Sequence, residues 1–260
     1  MTYAFDNRAK SGFARGEGAG ALILKPLAQA IKDNDKIRSV IVNTGVNQDG
    51  ITSPSGKAQE QLMREVYARA GITPLDAGFV EAHGTGTKVG DPIEATAINS
   101  VFGDGRTTRA PLYIGSVKSN VGHLENASGV ISIIKATMML EKGFVLPNTN
   151  FQTPNQNIPL AKWNMKVPTL QRPWPANKKY ISVNNFGFGG SNAHCVLERG
   201  PSHLQPGQKK ANLDPRQRLF VLSANDETSA RNLMKQLNIF VEQHPEVFQK
   251  ALMASRCCRF

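Results

Sequence analysis

Lys118-Ser119-Asn120-Val121-Gly122-His123-Leu124-Glu125, running directly into Asn126-Ala127-Ser128-Gly129-Val130-Ile131-Ser132-Ile133-Ile134-Lys135-Ala136-Thr137-Met138-Met139-Leu140-Glu141, is the stretch that decides the fold. Leu124 to Glu141 reads as one helix, apolar nearly all round. Such a helix is expected to be buried on every side, in a central layer between two sheets. The chain offers strands for only one sheet, which points to an incomplete domain. His123 falls where the helix is expected to begin. The positive helix end there would disfavour an imidazolium and leave a neutral ring able to donate a hydrogen bond.

Working upstream, strands and helices alternate. Tyr113 to Val117 is a strand, and Asp91-Pro92 opens a helix running to about Phe102, with Asp91 as its cap. Phe79-Val80-Glu81-Ala82 is another strand. From Lys57 to Ala70 the residues Ala58, Leu62, Met63, Val66, Tyr67 and Ala70 form a helical stripe, with Ser55 to cap its start and Gly71 its end. Val40-Ile41-Val42 is a strand, followed by a polar loop, Gly45 to Gly56. Gly16-Glu17-Gly18-Ala19-Gly20 superficially resembles a dinucleotide loop, but such a loop follows a strand and opens a helix. Here the glycines precede the apolar run Ala21–Leu24 and Pro26, which reads as a buried strand.

Downstream, six prolines between Phe144 and Lys179 indicate a long irregular crossing. Tyr180 to Val183 is a strand, Asn184 to Asn192 a glycine-rich loop, and Ala193 to Leu197 a last strand. Gly200 to Asp214 is a linker. Arg218 to Leu222 is strand-like, and Thr228 to Val241 an amphipathic helix. The pattern gives an α/β chain, one mixed sheet with helices on both faces.

Composition narrows the function classes. The 260 residues carry a net charge of +11, yet no run of five basic residues occurs and no aromatics interleave with them, so neither nucleic acid nor membrane is expected as a partner. No apolar run approaches the ~20 residues of a membrane span, and the amino terminus lacks a signal pattern. The three cysteines, Cys195, Cys257 and Cys258, fit neither a disulfide framework nor a zinc site. A cytoplasmic protein without a metal is expected.

The chemistry concentrates in two places. Glu81-Ala82-His83-Gly84-Thr85-Gly86-Thr87 puts a histidine at the carboxyl end of a strand, where α/β active sites collect. Its two glycines would let a ligand approach the backbone, and Thr85 and Thr87 could hydrogen-bond it. Lys118 closes the next strand, with His123 shortly after. Two imidazoles and a lysine converging on one cleft suit stabilisation of a thioester enolate.

In these motifs the chain resembles the ketosynthase domains of type I polyketide synthases. EAHGTGT (Glu81–Thr87), KSNVGHLE (Lys118–Glu125) and NFGFGGSNAH (Asn185–His194) are similar to three ketosynthase motifs, in that family's order. Phe5–Gly20, Gly45–Gly56, Trp163-Asn164 and Arg172–Pro175 resemble further polyketide-synthase segments. Residues 1–200 are covered, and 201–260 resemble the linker toward an acyltransferase domain. The resemblance implies the carboxyl-terminal half of a thiolase-like fold, with an incomplete central layer.

It also implies roles. His83 and His123 would hold the extender's thioester carbonyl during decarboxylation, and Lys118 would support them with Glu125 as its ionic partner. Phe188 would gate the site and supply an oxyanion-hole N–H. Thr85 and Thr87 would line the phosphopantetheine tunnel. No cofactor binds directly; substrates arrive on the phosphopantetheine of an acyl carrier protein. Asn192, His194 and Cys195 are assigned to packing. The family's nucleophilic cysteine lies upstream of the segment matching Phe5–Gly20, so this chain alone is expected to be inactive. It would be completed by an amino-terminal half or other synthase domains, or else be a remnant or an interaction module. Asn126-Ala127-Ser128 is discounted as a glycosylation acceptor because a buried helix is expected there.

Overall fold

The computed structural model describes residues 1–9, 12–49, 54–187, 189–201 and 222–243. The chain divides into two compact units, Met1–Ser202 and His203–Phe260. The first unit contains α1 (Leu27–Lys32), β1 (Ser39–Gln48), α2 (Gly56–Ala70), β2 (Ala77–Glu81), α3 (Gly90–Phe102), β3 (Leu112–Gly115) and α4 (Lys118–Val121). It continues with α5 (Ser128–Lys142), β4 (Phe144–Val145), β5 (Met165–Lys166), β6 (Arg172–Pro173), β7 (Tyr180–Phe186) and β8 (Ser191–Arg199). The described part of the second unit is α6 (Glu227–Gln243), preceded by an exposed Leu222 that belongs to no strand. The rest of the expected strand there, and Cys257 and Cys258, lie outside the described residues.

Six strands form one mixed sheet in the order β1-β8-β7-β2-β3-β5, and β4 pairs separately with β6. β7, β2, β3 and β5 are parallel, while β8 is antiparallel to both β7 and β1. β2 lies between β7 and β3 and is buried along its whole length, as a parallel strand covered on both faces must be.

Side-chain alternation along the central strands separates two cores. One face packs Ala77, Val80 and Ala82 against Leu62, Met63, Val66 and Tyr67 of α2 and Ala95, Ile98 and Phe102 of α3. The other packs Phe79, Ile181, Val183 and Leu197 against Ala136, Met139 and Leu140 of α5. Helix α2 follows its sequence pattern closely. The Ser55 side chain accepts from the Ala58 N–H at its start, and Gly71 closes it at φ 64°. Its Tyr67 ring is fully buried, a placement worth about 2–3 kcal/mol, and its hydroxyl shares a 2.8 Å hydrogen bond with Ser182.

Three expectations are corrected here. Helix α5 starts at Ser128, after a 3-10 turn at Glu125–Ala127, because Gly122 at φ 74° and Glu125 at φ 49° break the helical path. It is not buried all round: Ser128, Ser132, Ala136, Met139 and Leu140 face the sheet, while Met138 is half exposed. Asn126 is exposed in that turn, so the buried helix invoked against the sequon is not there.

The second correction concerns Gly16–Leu27. No strand forms, and Ile23 is 99% and Leu24 69% exposed. Neither outer strand of the sheet, β1 or β5, pairs with them. The third concerns Asp91, which is not the cap of α3. It lies inside the first turn, and its carboxylate accepts the N–H groups of Phe5 (2.7 Å), Gly86 (3.1 Å) and Thr87 (3.3 Å).

Candidate active site

The site is built where β2 and β3 end side by side. His83 follows β2 by one residue beyond Ala82, whose N–H bonds to the Gly115 carbonyl of β3. The turn carrying His83 is fixed from below by a carboxylate. Glu94 of α3 accepts from the His83 N–H and the Gly84 N–H, both at 2.8 Å, and from the Asn184 amide at 3.1 Å. Glu94 escaped the sequence reading, although a glutamate on the buried face of a helix is a detectable anomaly. Burial pushes its carboxyl above the usual carboxylate range, against the hydrogen bonds that favour the anion. Burial likewise raises Asp91 to about 7.

Gly84 (φ 45°) and Gly86 (φ 72°) are required by the fold. A Cβ on Gly86 would stand 2.8 Å from the Tyr3 nitrogen, and one on Gly84 would stand 2.6 Å from Ser116. The amino-terminal backbone at Tyr3 and Ala4 packs directly against Gly86. Thr85 and Thr87 do meet, their hydroxyls 3.3 Å apart, and Thr87 accepts from the Gly90 N–H.

The His83 and His123 rings stand edge to face, centroids 5.5 Å apart and planes at 85°. At His83, Nδ1 lies 3.2 Å from the Phe186 nitrogen and 3.1 Å from the side-chain amide of Asn185, which also meets the Ser128 hydroxyl. A backbone N–H can only donate, whereas a side-chain amide can turn over. Nδ1 of His83 therefore accepts, and the proton resides on Nε2. His123 reaches the same tautomer through the Glu125 N–H, which donates to its Nδ1 at 3.0 Å. The segment Phe13–Gly16 straps this ring: Phe13 lies 4.7 Å from it, and backbone bonds join His123 to Ala14 and Gly16.

Both imidazoles are held neutral. Burial, then the charge of Lys118, pulls His83 well below its ordinary value and His123 below it also. The neutrality expected from a helix end thus arises from desolvation and a neighbouring cation. Lys118 is buried, its amine lowered by burial and without a hydrogen-bond partner among the described residues. The expected Lys118–Glu125 pair is absent. Glu125 is turned outward at φ 49° and bonds Arg15 at 2.5 Å. The carboxylates that act on Lys118 are Glu81, Glu94 and Asp91.

Phe188 lies outside the described residues. The glycine-rich turn around it is anchored by Gln48, which donates to the Gly189 carbonyl, and by Asp49, which accepts from Asn192. His194 is buried against Tyr67, 2.7 Å from Asn184, and burial lowers it to about 3. Cys195 is buried with its thiol pushed up to about 12. Among the described residues no three His, Cys, Asp or Glu side chains could hold a metal ion, and no helix is long and apolar enough to cross a membrane.

Two neutral imidazoles and a buried lysine at the carboxyl ends of parallel strands, on a mixed sheet covered by helices on both faces, place the chain among thiolase-like α/β proteins. The family described as beta-ketoacyl synthase, C-terminal domain, matches residues 36–152, and the ketoacyl-synthetase C-terminal extension matches 154–256. The chain is 59% identical over 96% of its length to highly-reducing polyketide synthase 1 of Aureobasidium melanogenum. It is 48% identical over 93% to reducing polyketide synthase PKS2 of Cochliobolus heterostrophus. It spans 12% of the length of each of these relatives. Among solved structures it is similar to the ketosynthase from module 6 of the bacillaene synthase of Bacillus subtilis 168. There the TM-score is 0.71 at 39% identity, covering 94% of this chain and 42% of that one. The ketosynthase from module 1 of the bacillaene synthase of Bacillus amyloliquefaciens FZB42 matches with a TM-score of 0.71 at 39% identity, over 76% of this chain and 36% of that one. The chain belongs to the ketosynthases of type I polyketide synthases, of which it carries the carboxy-terminal part.

Proposed function

We propose that residues 1–200 supply the decarboxylation half of a ketosynthase site acting in the cytoplasm on malonyl thioesters carried by an acyl carrier protein, with 201–260 leading toward an acyltransferase domain. The attacking sulfur comes from outside these 260 residues. Cys195 does not qualify, since a buried thiol raised to about 12 is not a thiolate at neutral pH. The observation that carries the reading is the matched pair of rings, each with Nδ1 accepting a backbone N–H and Nε2 left to donate. In decarboxylation the bond from Cα to the carboxylate breaks, CO2 leaves, and the electron pair moves onto the thioester oxygen. Two N–H donors aimed at that oxygen stabilise the enolate, each worth about 10²–10³ in rate. Their neutrality matters, because an imidazolium would protonate the enolate before it reached the acyl carbon.

In this reading Lys118 sets the polarity beside both rings, Glu125 fixes His123 through its backbone N–H, and Thr85 and Thr87 line the path of the phosphopantetheine arm. Phe188 serves as gate and oxyanion donor. The test mixes the chain with a separately expressed amino-terminal ketosynthase half and measures CO2 release from a malonyl thioester. Release in the mixture and in neither part alone is expected. A soluble, assembled mixture that releases none would leave an inactive or purely interacting segment.

A further inference from the structure

Glu81 is fully buried at the carboxyl end of β2, one residue before Ala82 and two before His83, and both its oxygens are occupied. Oε1 accepts the Val117 N–H at 2.6 Å, and Oε2 is paired with Lys135 of α5 at 2.6 Å. The Lys135 amine, itself almost buried, reaches there across the Phe79 ring at 5.3 Å. Glu94 is equally committed, with its oxygens on His83, Gly84 and Asn184. Lys118 lies among these groups, yet its amine bonds to none of them. A buried ammonium beside a free carboxylate would close on it, since leaving either uncompensated is costly. We propose that Lys135 is a positioning residue: it occupies Glu81 and thereby keeps the Lys118 amine free of any carboxylate, beside the two imidazoles.

The surrounding charges act in opposing directions. From β2 and α3, Glu81, Glu94 and Asp91 favour the Lys118 ammonium; from α5, Lys135 opposes it; burial opposes it most. His83 and His123 respond to Lys118 in turn. Replacing Lys135 by a neutral side chain removes a like charge and releases Glu81 at the same time, and both changes favour a charged, carboxylate-bound Lys118. Its catalytic meaning rests on the ketosynthase reading above; its electrostatic content does not.

The test follows the Lys118 side chain by NMR in the full 260-residue chain carrying lysine labelled with 13C at Cε, with circular dichroism confirming the fold of each variant. Lys135→Met should raise the Lys118 titration midpoint by about one pH unit or more, and Lys135→Arg should leave it near the parent value. Glu81→Gln should lower it, because Lys135 then stands uncompensated, and the double variant should fall between the two singles. If Lys135→Met does not fold, Glu81→Gln and the double variant carry the same comparison. A midpoint indifferent to these changes would overturn the proposal. In the assembled mixture, Lys135→Met should move the alkaline limb of the decarboxylation profile upward while Lys135→Arg restores it. Absence of CO2 release from the parent mixture would count against the ketosynthase reading and leave the titration result standing.

Discussion

His83 and His123 approach within 5.5 Å at right angles, and each turns Nδ1 toward a backbone N–H, from Phe186 and Glu125. The two rings are thus set in one tautomer by peptide groups that cannot rotate away. Their donating nitrogens need no side-chain relay to define them.

Replacing Glu94 tests the platform under His83. Glu94→Ala strands the Gly84 N–H and the Asn184 amide in the interior and frees the part-buried His83 N–H, each buried group costing about 1–3 kcal/mol. Urea denaturation followed by circular dichroism should show a loss of about 2–5 kcal/mol. Glu94→Gln, which still presents an oxygen, should lose roughly half as much.

His194 gives stability a pH dependence of defined sign. Its folded value, about 3, lies below the unfolded value, so the unfolded chain binds the extra proton between them. Stability is therefore full above pH ~6.5 and falls as pH drops, by up to ~1.4 kcal/mol per unit for this one group. Because Asp91 and Glu94, raised by burial, act with the opposite sign over the same range, the readout from denaturation curves is the difference: between pH 7 and pH 5 the parent should lose more stability than His194→Gln, by up to that amount per unit.

The two loop glycines differ in kind from Gly189. Gly86→Ala forces a Cβ against the Tyr3 backbone at φ 72°, and should cost at least about 1–3 kcal/mol. Gly189→Ala meets nothing within 4 Å and should stay within about 0.5 kcal/mol. Thermal melts of the two variants check the contrast.

Cys195 should resist alkylation in the native chain. With its thiol buried and raised to about 12, iodoacetamide should label it no faster than the fold opens. Peptide mass spectrometry should show the label appearing with urea, in step with loss of helix signal.

Much of this was legible in the residues. The stripe from Ala58 to Ala70, with Ser55 and Gly71 as its limits, gave α2 to within one residue, because cap chemistry and helical period agreed. His83, Lys118 and His123 were singled out because two histidines and a lysine at strand ends converge on one cleft, and the structure brings the three together. What stayed hidden depended on contacts distant in the chain. Glu94 and Asp91 acquire their roles from N–H groups up to 86 residues away. Glu125 was paired with Lys118 through the family resemblance, but its positive φ turns it to Arg15. Ala21–Leu24 carries a strand composition, yet a strand forms only by pairing with a neighbour, and composition does not name one.

Sheet order also imposes a schedule on biosynthesis. β7 slots in beside β2, so the N–H that fixes His83 belongs to a residue translated 103 positions later. At about 5–20 residues per second, roughly 5–20 s separate the two at the ribosome. Throughout that interval the nascent β2 lacks the neighbour that flanks it on that side. The imidazole acquires its fixed tautomer only after β7 has emerged and paired with β2.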